Sequence, residues 1–267
     1  MPSRSRRSYD QFCAIARALD SVGDRWTLLI VRELLAGPRR YTDLHADLPG
    51  VSTDVLASRL KHMEGEGIAE RRRQARPGSG FVYELTPRGR ELLPVLGALA
   101  AWGAPALGKP RPTDAVRAHW WALPVRTALE TALGVALEGA GGDPGSRAAP
   151  ESAPTPPPVR GGVVDVRLPE GAFHVRVHLG PDLAHGPDPA HGPDPGEARS
   201  RDAGASCGQE PFYGEGPAPQ RADAGLELDA DVCARIADGS ATLADEIRAG
   251  SVRVTGAGPL AEALRPA

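Results

Sequence analysis

The sequence predicts an α+β protein in two parts, and three observations support this. The N-terminal part carries apolar side chains at helical spacing and ends in a short hairpin pattern. Residues 163–179 alternate apolar and polar side chains, as strands do. Gly- and Pro-rich stretches near 141–160 and 181–219 predict disordered insertions in the second part. We therefore expect an N-terminal domain over residues 1–108 and a C-terminal α+β domain, with a small sheet and short helices, over residues 113–267.

Charge divides unequally between the two parts. Residues 1–110 contain 17 Lys and Arg against 12 Asp and Glu, a net charge of +5, whereas the rest contains 14 against 22, a net charge of −8. A basic N-terminal part suits a polyanionic partner such as a nucleic acid, and the acidic remainder does not.

Cysteine usage and hydropathy favour a cytoplasmic protein with no membrane segment. Cys13, Cys207 and Cys233 form no CxxC pair and show no zinc-ligand spacing. No apolar stretch follows the basic N-terminus as in a signal peptide, and no uncharged stretch comfortably spans a bilayer. We expect no bound metal and no cofactor.

Two helices are predicted first. Residues 9–20 place Phe12, Ile15, Ala16 and Leu19 on one face of an amphipathic helix. Residues 26–35 are apolar nearly all round, which predicts a buried central helix that ends at Gly37-Pro38.

A short helix, a tight turn and a longer helix follow in series. Thr42 is expected to cap the short helix, and Ser52 to cap a helix over residues 53–66. The buried stripe of the longer helix is predicted to be Val55, Leu56, Leu60 and Met63. The side chains expected to point outward are Thr53, Asp54, Ala57, Ser58, Lys61 and His62. This is the geometry of a helix-turn-helix, whose second helix fits the major groove of DNA.

A hairpin and a last helix complete the N-terminal part. Residues 68–73 and 81–85 predict two strands joined by the turn at 75–80, and this wing carries Arg71, Arg72, Arg73 and Arg76, placed to meet phosphates or a minor groove. Thr86-Pro87 opens a helix from Arg88 to about Trp102. Its stripe is too apolar for a free surface, so we expect it to pack on the first helix or on a second subunit. That stripe consists of Leu92, Val95, Leu96, Leu99 and Trp102.

These residues together resemble the HxlR-type family of winged helix-turn-helix regulators. The resemblance rests on CAIARALDSVGDRWTLLIVRELLAGPRRYTDL (13–44), LPGVSTDVLASRLKHMEGEGIAERR (48–72) and YELTPRGRELLPVL (83–96). It implies a DNA-binding transcriptional regulator, expected to be a repressor. It also implies a homodimer, joined through the terminal helices of the domain, that places two recognition helices in successive major grooves of double-stranded DNA.

The resemblance assigns DNA contacts residue by residue. The recognition-helix candidates are Ser52, Thr53, Ser58, Arg59, Lys61 and His62. Arg39 and Arg40 would contact phosphates, and Arg72 and Arg76 belong to the wing. Asp54 stands where the family more often has a basic or small residue, so it either caps the helix or accepts a hydrogen bond from a cytosine amine.

Cys13 matches a position where some members of the family keep a redox-sensing cysteine. Arg17, one helical turn on, could favour its thiolate. The alternative is a small buried helix residue beside Phe12. A redox-responsive regulator therefore stays open as a second function.

The C-terminal part is expected to contain three strands near 163–168, 173–179 and 224–228, followed by short helices and a strand at 251–255. Residues 226–264 resemble the tail of a sterol carrier protein type 2-like domain. That resemblance implies an apolar tunnel and an apolar small-molecule ligand, or else a lipid carrier. A helix over residues 114–137 would wall the tunnel, or its side chains would simply fill a core; they are Trp120, Trp121, Leu123, Val125, Leu129 and Leu133. No arrangement of catalytic residues is found, so no enzyme is expected.

Overall fold

The structure, a computed structural model, describes residues 8–74, 80–140, 161–178 and 211–265, without the side chains of residues 135–140. The wing tip with Arg76, the predicted insertion near 141–160 and most of the one at 181–219 lie outside the described residues. Within them, no helix is long and apolar enough to cross a membrane.

The N-terminal part packs around one buried helix. Its helices are α1 (Ala14–Val22), α2 (Thr27–Leu35), α3 (Tyr41–Asp47), α4 (Thr53–Gly65), α5 (Pro87–Arg90) and α6 (Leu93–Gly103), and its strands are β1 (Ala69–Arg73) and β2 (Phe81–Leu85). The predicted central helix is confirmed, because four apolar side chains of α2 are 0% exposed: Ile30, Val31, Leu34 and Leu35.

Four details of the N-terminal part differ from the sequence prediction. The first helix begins at Ala14, not at residue 9, so Phe12 lies before this helix and not on its face. Thr42 lies inside α3, which starts after Arg40, whose backbone N–H donates to Asp43 at 3.3 Å. Val55 is 41% exposed and not part of the buried stripe. The predicted last helix is two helices, because Pro94 has no N–H to donate to the carbonyl of Arg90 and its ring crowds that carbonyl.

The C-terminal part is a five-stranded sheet with helices on one face. A 3-10 helix (Ala118–Trp121) leads into α7 (Ala122–Ala140). The strands are β3 (Gly161–Leu168), β4 (Gly171–His178), β5 (Tyr213–Glu215), β6 (Ala224–Glu227) and β7 (Arg253–Thr255), in the order β5-β4-β3-β6-β7. Only the β3–β6 pair in this sheet is parallel. The remaining helices are α8 (Ala230–Asp238), α9 (Leu243–Arg248) and α10 (Pro259–Leu264).

Two predictions for this part are wrong and one alternative is favoured. The second loose segment was expected to reach about residue 219, but residues 213–215 form β5 and Tyr213 is 1% exposed. The long helix starts at residue 122, not at 114. Val125, Leu129 and Leu133 are 0% exposed in the common core, which favours core filling over the wall of a tunnel.

The two parts share a buried polar contact as well as one apolar core. The Glu33 carboxylate of α2 is 0% exposed and accepts hydrogen bonds from Arg32 Nε at 2.8 Å, His119 Nε2 at 2.8 Å and Trp120 Nε1 at 3.0 Å. Burial by itself would raise the pKa of Glu33, but the His119 hydrogen bond and the Arg32 charge outweigh it, so the pKa is lowered. Tyr213 of β5 also donates to the Arg32 carbonyl. These contacts fix the C-terminal part to α2.

Candidate nucleic-acid interface

Helix α4 turns a polar face to solvent. Ser52 caps it, as predicted, by accepting a hydrogen bond from the Val55 N–H at 3.4 Å. Leu56, Leu60 and Met63 are buried and hold the other face against the core. The exposed side chains are Ser52, Thr53, Asp54, Val55, Ala57, Ser58, Lys61 and Glu64. Side chains of this kind can donate to and accept from base edges, while Val55, which the sequence pattern placed inside, offers an apolar contact to a thymine methyl.

Two of the proposed recognition residues lie at the side of α4 instead. Arg59 forms an ion pair with Asp24, and the Nε2 of His62 lies 3.1 Å from the Ser21 carbonyl oxygen. Ser21 lies at the end of α1, and Asp24 lies in the turn before α2. Arg59 and His62 therefore tie α4 to the body of the domain.

The two arginines before α3 have different surroundings. The Arg39 side chain is 15% exposed, with its Nη1 3.0 Å from Glu215 Oε2 and 3.8 Å from Asp47 Oδ2. Arg40 is exposed, and its Nη2 donates to Gln74 Oε1, at the end of β1, at 3.2 Å. Arg40 is thus open to a phosphate, whereas Arg39 is engaged by the C-terminal part.

The wing is an antiparallel hairpin whose arginines lie on both faces. Arg72 donates to both carboxylate oxygens of Glu84, at 2.6 and 2.9 Å. This pairing lowers the pKa of Glu84, whereas burial and the neighbouring Glu84 raise the pKa of Glu70, its directly opposed partner. On the other face, the Arg71 guanidinium lies 4.0 Å from the Phe81 ring centroid. Arg72 therefore offsets the repulsion between Glu70 and Glu84 inside the wing. The sequence predicts that Arg71 lies on the wing but does not single it out as a DNA contact.

Asp54 does not cap α4. That role belongs to Ser52, and among the described residues no hydrogen bond to the Asp54 side chain is found. Asp54 is exposed in the first turn, where the positive end of the helix dipole favours an acidic residue. The cap reading of Asp54 is therefore wrong, and acceptance from a cytosine amine stays a prediction.

The two described cysteines differ in access. Cys13 is exposed and directly precedes α1. Arg17 is one turn away, but its nearest acidic partner is Asp20 at 3.7 Å. Cys233 is buried in α8, and burial raises its thiol pKa to about 12, which leaves it an unreactive core residue.

A short helix, a turn, an exposed polar helix and a basic hairpin, in this order, define a winged helix-turn-helix DNA-binding regulator. A family model described as HxlR-like helix-turn-helix matches residues 21–110. The uncharacterised HTH-type transcriptional regulator YvaP of Bacillus subtilis is 38% identical over 86 residues, which are 32% of this chain and 80% of that protein. The uncharacterised HTH-type transcriptional regulator sll1512 of Synechocystis sp. is 39% identical over 92 residues, 34% of this chain and 68% of that protein.

The solved structure of the reduced transcriptional regulator YodB from B. subtilis is 29% identical, covers 38% of this chain and 100% of its own, and gives a TM-score of 0.33. The chain belongs to the HxlR-like helix-turn-helix family, and it is a DNA-binding transcriptional regulator of that type.

Proposed function

We propose that the chain is a homodimeric repressor that reads double-stranded DNA with the exposed face of α4. The observation that carries this proposal is that face itself. Thr53, Ser58 and Lys61 project from it, and none of these side chains has a hydrogen-bond or ion-pair partner within the described part of the chain. Unpaired polar groups on the second helix of a helix-turn-helix can form hydrogen bonds with base edges in a major groove.

The arginines around α4 would supply the sequence-independent part of the affinity. Arg40 is the best-placed phosphate contact because it is exposed beside the wing. Arg72 would contact the backbone from the wing together with Arg76, although its bond to Glu84 limits its reach. Arg39 would need to leave Glu215 before it could meet a phosphate.

A second copy of the chain would cover the exposed apolar surface of α1 and α6. Isolated exposed apolar residues are common, but a large apolar patch marks an interaction site. The side chains in question are Phe12, Ile15, Leu19, Val95, Leu99 and Trp102. Phe12 and Trp102 are 107% and 84% exposed, whereas large aromatic side chains are usually buried away from water. Burial of these side chains between two copies would set the spacing of two recognition helices.

The C-terminal part, residues 113–267, would be a sterol carrier-like domain that senses an apolar small molecule and changes the DNA affinity. Its attachment to α2 through Glu33 supports a regulatory role, because a movement of this part would also displace the central helix of the DNA-binding domain. The alternative of redox control has one supporting observation. Cys13 is exposed and precedes the helix that carries the proposed dimer surface.

The experiment that tests the proposal compares variants on a panel of duplexes by fluorescence anisotropy. Arg40→Ala should weaken binding to all duplexes alike, because a phosphate contact carries no base information, and should reduce the slope of log affinity against log salt by about 0.9. Ser58→Ala should change the order of preference among duplexes. Arg88→Ala, which removes an exposed arginine on α5, is the matched control. Equal loss on every duplex for Ser58→Ala would show that α4 is not the reading helix.

A further inference from the structure

Two adjoining openings lie where α6 of the N-terminal part meets α7 of the C-terminal part. Their volumes are about 480 and 560 Å³, and they share Gly97, Leu123 and Thr127 in their walls. We refer to the two together as the α6–α7 trough. Each volume is within the range of small-molecule sites, which is roughly 300–1,000 Å³.

One end of the trough is apolar and lined by small side chains. Its wall comes from α6, α7, α8 and α9, with Ala100, Ala132, Ala244 and Leu243 among its residues. Small side chains leave room for a guest, and the surface they offer is hydrocarbon. This end therefore suits an alkyl or aryl group.

The other end contains two arginines with buried, unsatisfied donors. Arg126 of α7 is 8% exposed, and Arg90 of α5 lines the same opening. The Nε of Arg126 and the Nη1 of Arg90 are buried, and neither has a hydrogen-bond partner among the described residues. The Arg126 Nη2 donates to Glu130 at 2.7 Å. Glu91 and His178 also line this end.

A buried N–H without an acceptor destabilises a fold, and a guanidinium N–H is a strong donor to a carboxylate. Both arginines line the opening, so a carboxylate brought to this end would accept hydrogen bonds from their guanidinium groups, and a rotation of either side chain would turn its buried N–H toward the ligand. Glu91 and Glu130 balance much of the charge of the two arginines. The preference for a ligand with a carboxylate therefore rests on hydrogen bonding more than on net charge.

We propose that the α6–α7 trough binds an apolar carboxylic acid, with its carboxylate at Arg90 and Arg126 and its hydrocarbon portion among the alanines. The proposal rests on the proposed function of the C-terminal part as a small-molecule sensor, and it names the site and the ligand class. The site is not the tunnel expected from sequence, because the inner face of α7 is filled with core side chains.

Occupation of the trough has a direct route to the DNA-binding domain. Helix α6 forms one wall, and Val95, Leu99 and Trp102 of the same helix are exposed on the proposed dimer surface. A ligand that favours one position of α6 would favour one arrangement of the dimer, and so shift the affinity for DNA.

The experiment is a calorimetric titration of the full chain, without DNA, using decanoate, octanoate and 1-decanol. Decanoate should bind, and about 15-fold more tightly than octanoate, because two more methylenes are buried. 1-Decanol should bind about tenfold more weakly than decanoate, because it lacks the charged acceptor. Equal affinity for decanoate and 1-decanol, or no binding of decanoate, would overturn the proposal.

Two pairs of variants locate the site. Arg90→Gln should weaken decanoate about tenfold and leave 1-decanol unchanged, whereas Arg88→Gln, on the same short helix, should change neither. A Cβ at Gly97 meets nothing within 4 Å, and Gly97 lines both openings, so we expect the side chain of Gly97→Leu to extend into the middle of the trough. Gly134→Leu, at another open glycine outside the trough, is its control.

Gly97→Leu should abolish decanoate binding, and unchanged binding in this variant would place the acid elsewhere. DNA affinity of each variant, measured without acid, separates the two proposals. If the chain binds DNA but no acid, the trough assignment fails and the regulator remains.

Discussion

Replacement of Glu33 by alanine tests the contact that joins the two parts of the chain. The Glu33 carboxylate is 0% exposed and accepts from Arg32, His119 and Trp120. Alanine would leave three buried or half-buried donors without their acceptor. Removal of one partner from a buried charged pair costs about 3–5 kcal/mol, because the remaining groups stay desolvated. We expect Glu33→Ala to lose stability in this range.

The assay is urea unfolding of the full chain, followed by circular dichroism. With a dependence on urea of about 2–3 kcal/mol per M, the midpoint should fall by at least about 1 M. Glu33→Gln keeps an acceptor oxygen and should lose less. Glu64→Ala, at an exposed position of α4, should change the free energy of unfolding by less than about 0.5 kcal/mol.

The pH dependence provides a second check on Glu33. Its pKa in the folded chain lies below the ordinary 4.5, so the unfolded chain binds the proton more readily. The stabilisation is therefore complete above pH 4.5 and is lost as the pH falls through the lower, folded pKa. The difference in stability between the wild type and Glu33→Ala should shrink in acid. A midpoint for Glu33→Ala equal to that of the wild type at neutral pH would refute the reasoning.

Three further predictions concern DNA binding and assembly. Lys61→Ala should change which duplex is preferred in a competition assay, because Lys61 lies on the exposed face of α4. Glu215→Ala should raise DNA affinity and steepen the salt dependence by about 0.9, because it releases Arg39 for a phosphate; an unchanged slope, or the same gain in an Arg39→Ala background, would contradict this. Trp102→Glu should convert the dimer to a monomer in sedimentation analysis, because it places a charge in the proposed interface; a persistent dimer would exclude α6 from that interface.

Local sequence patterns predicted the elements that depend on local forces. Helix α2 follows from an uninterrupted apolar run, and α4 from its Ser52 cap and its buried stripe. The wing follows from two short strand segments around a Gly- and Pro-containing turn. The three-residue strand β5 could not be predicted in this way, since it forms by pairing with β4 and by burial of Tyr213 in a common core.

The candidate site was only partly predictable because side-chain partners come from distant parts of the chain. The sequence shows that Arg39 and Arg59 are basic but not that they are paired. Arg39 meets Glu215, which is 176 residues away. The same holds for Glu33, an acidic residue in an apolar helix, whose partner His119 is 86 residues away. Most of the exposed face of α4 was predictable from helical periodicity, whereas Val55, which is exposed, and His62, which lies against Ser21, were not.

A titration of fluorescent DNA from the gene's own upstream region with the full chain, at two salt concentrations, tests the central claim most directly. We predict binding with an affinity that falls steeply as salt rises, with a slope of about −0.9 for each phosphate contacted. Absence of binding to that DNA and to genomic competitor DNA, or an affinity that does not respond to salt, would contradict the assignment of the N-terminal part as a DNA-binding domain.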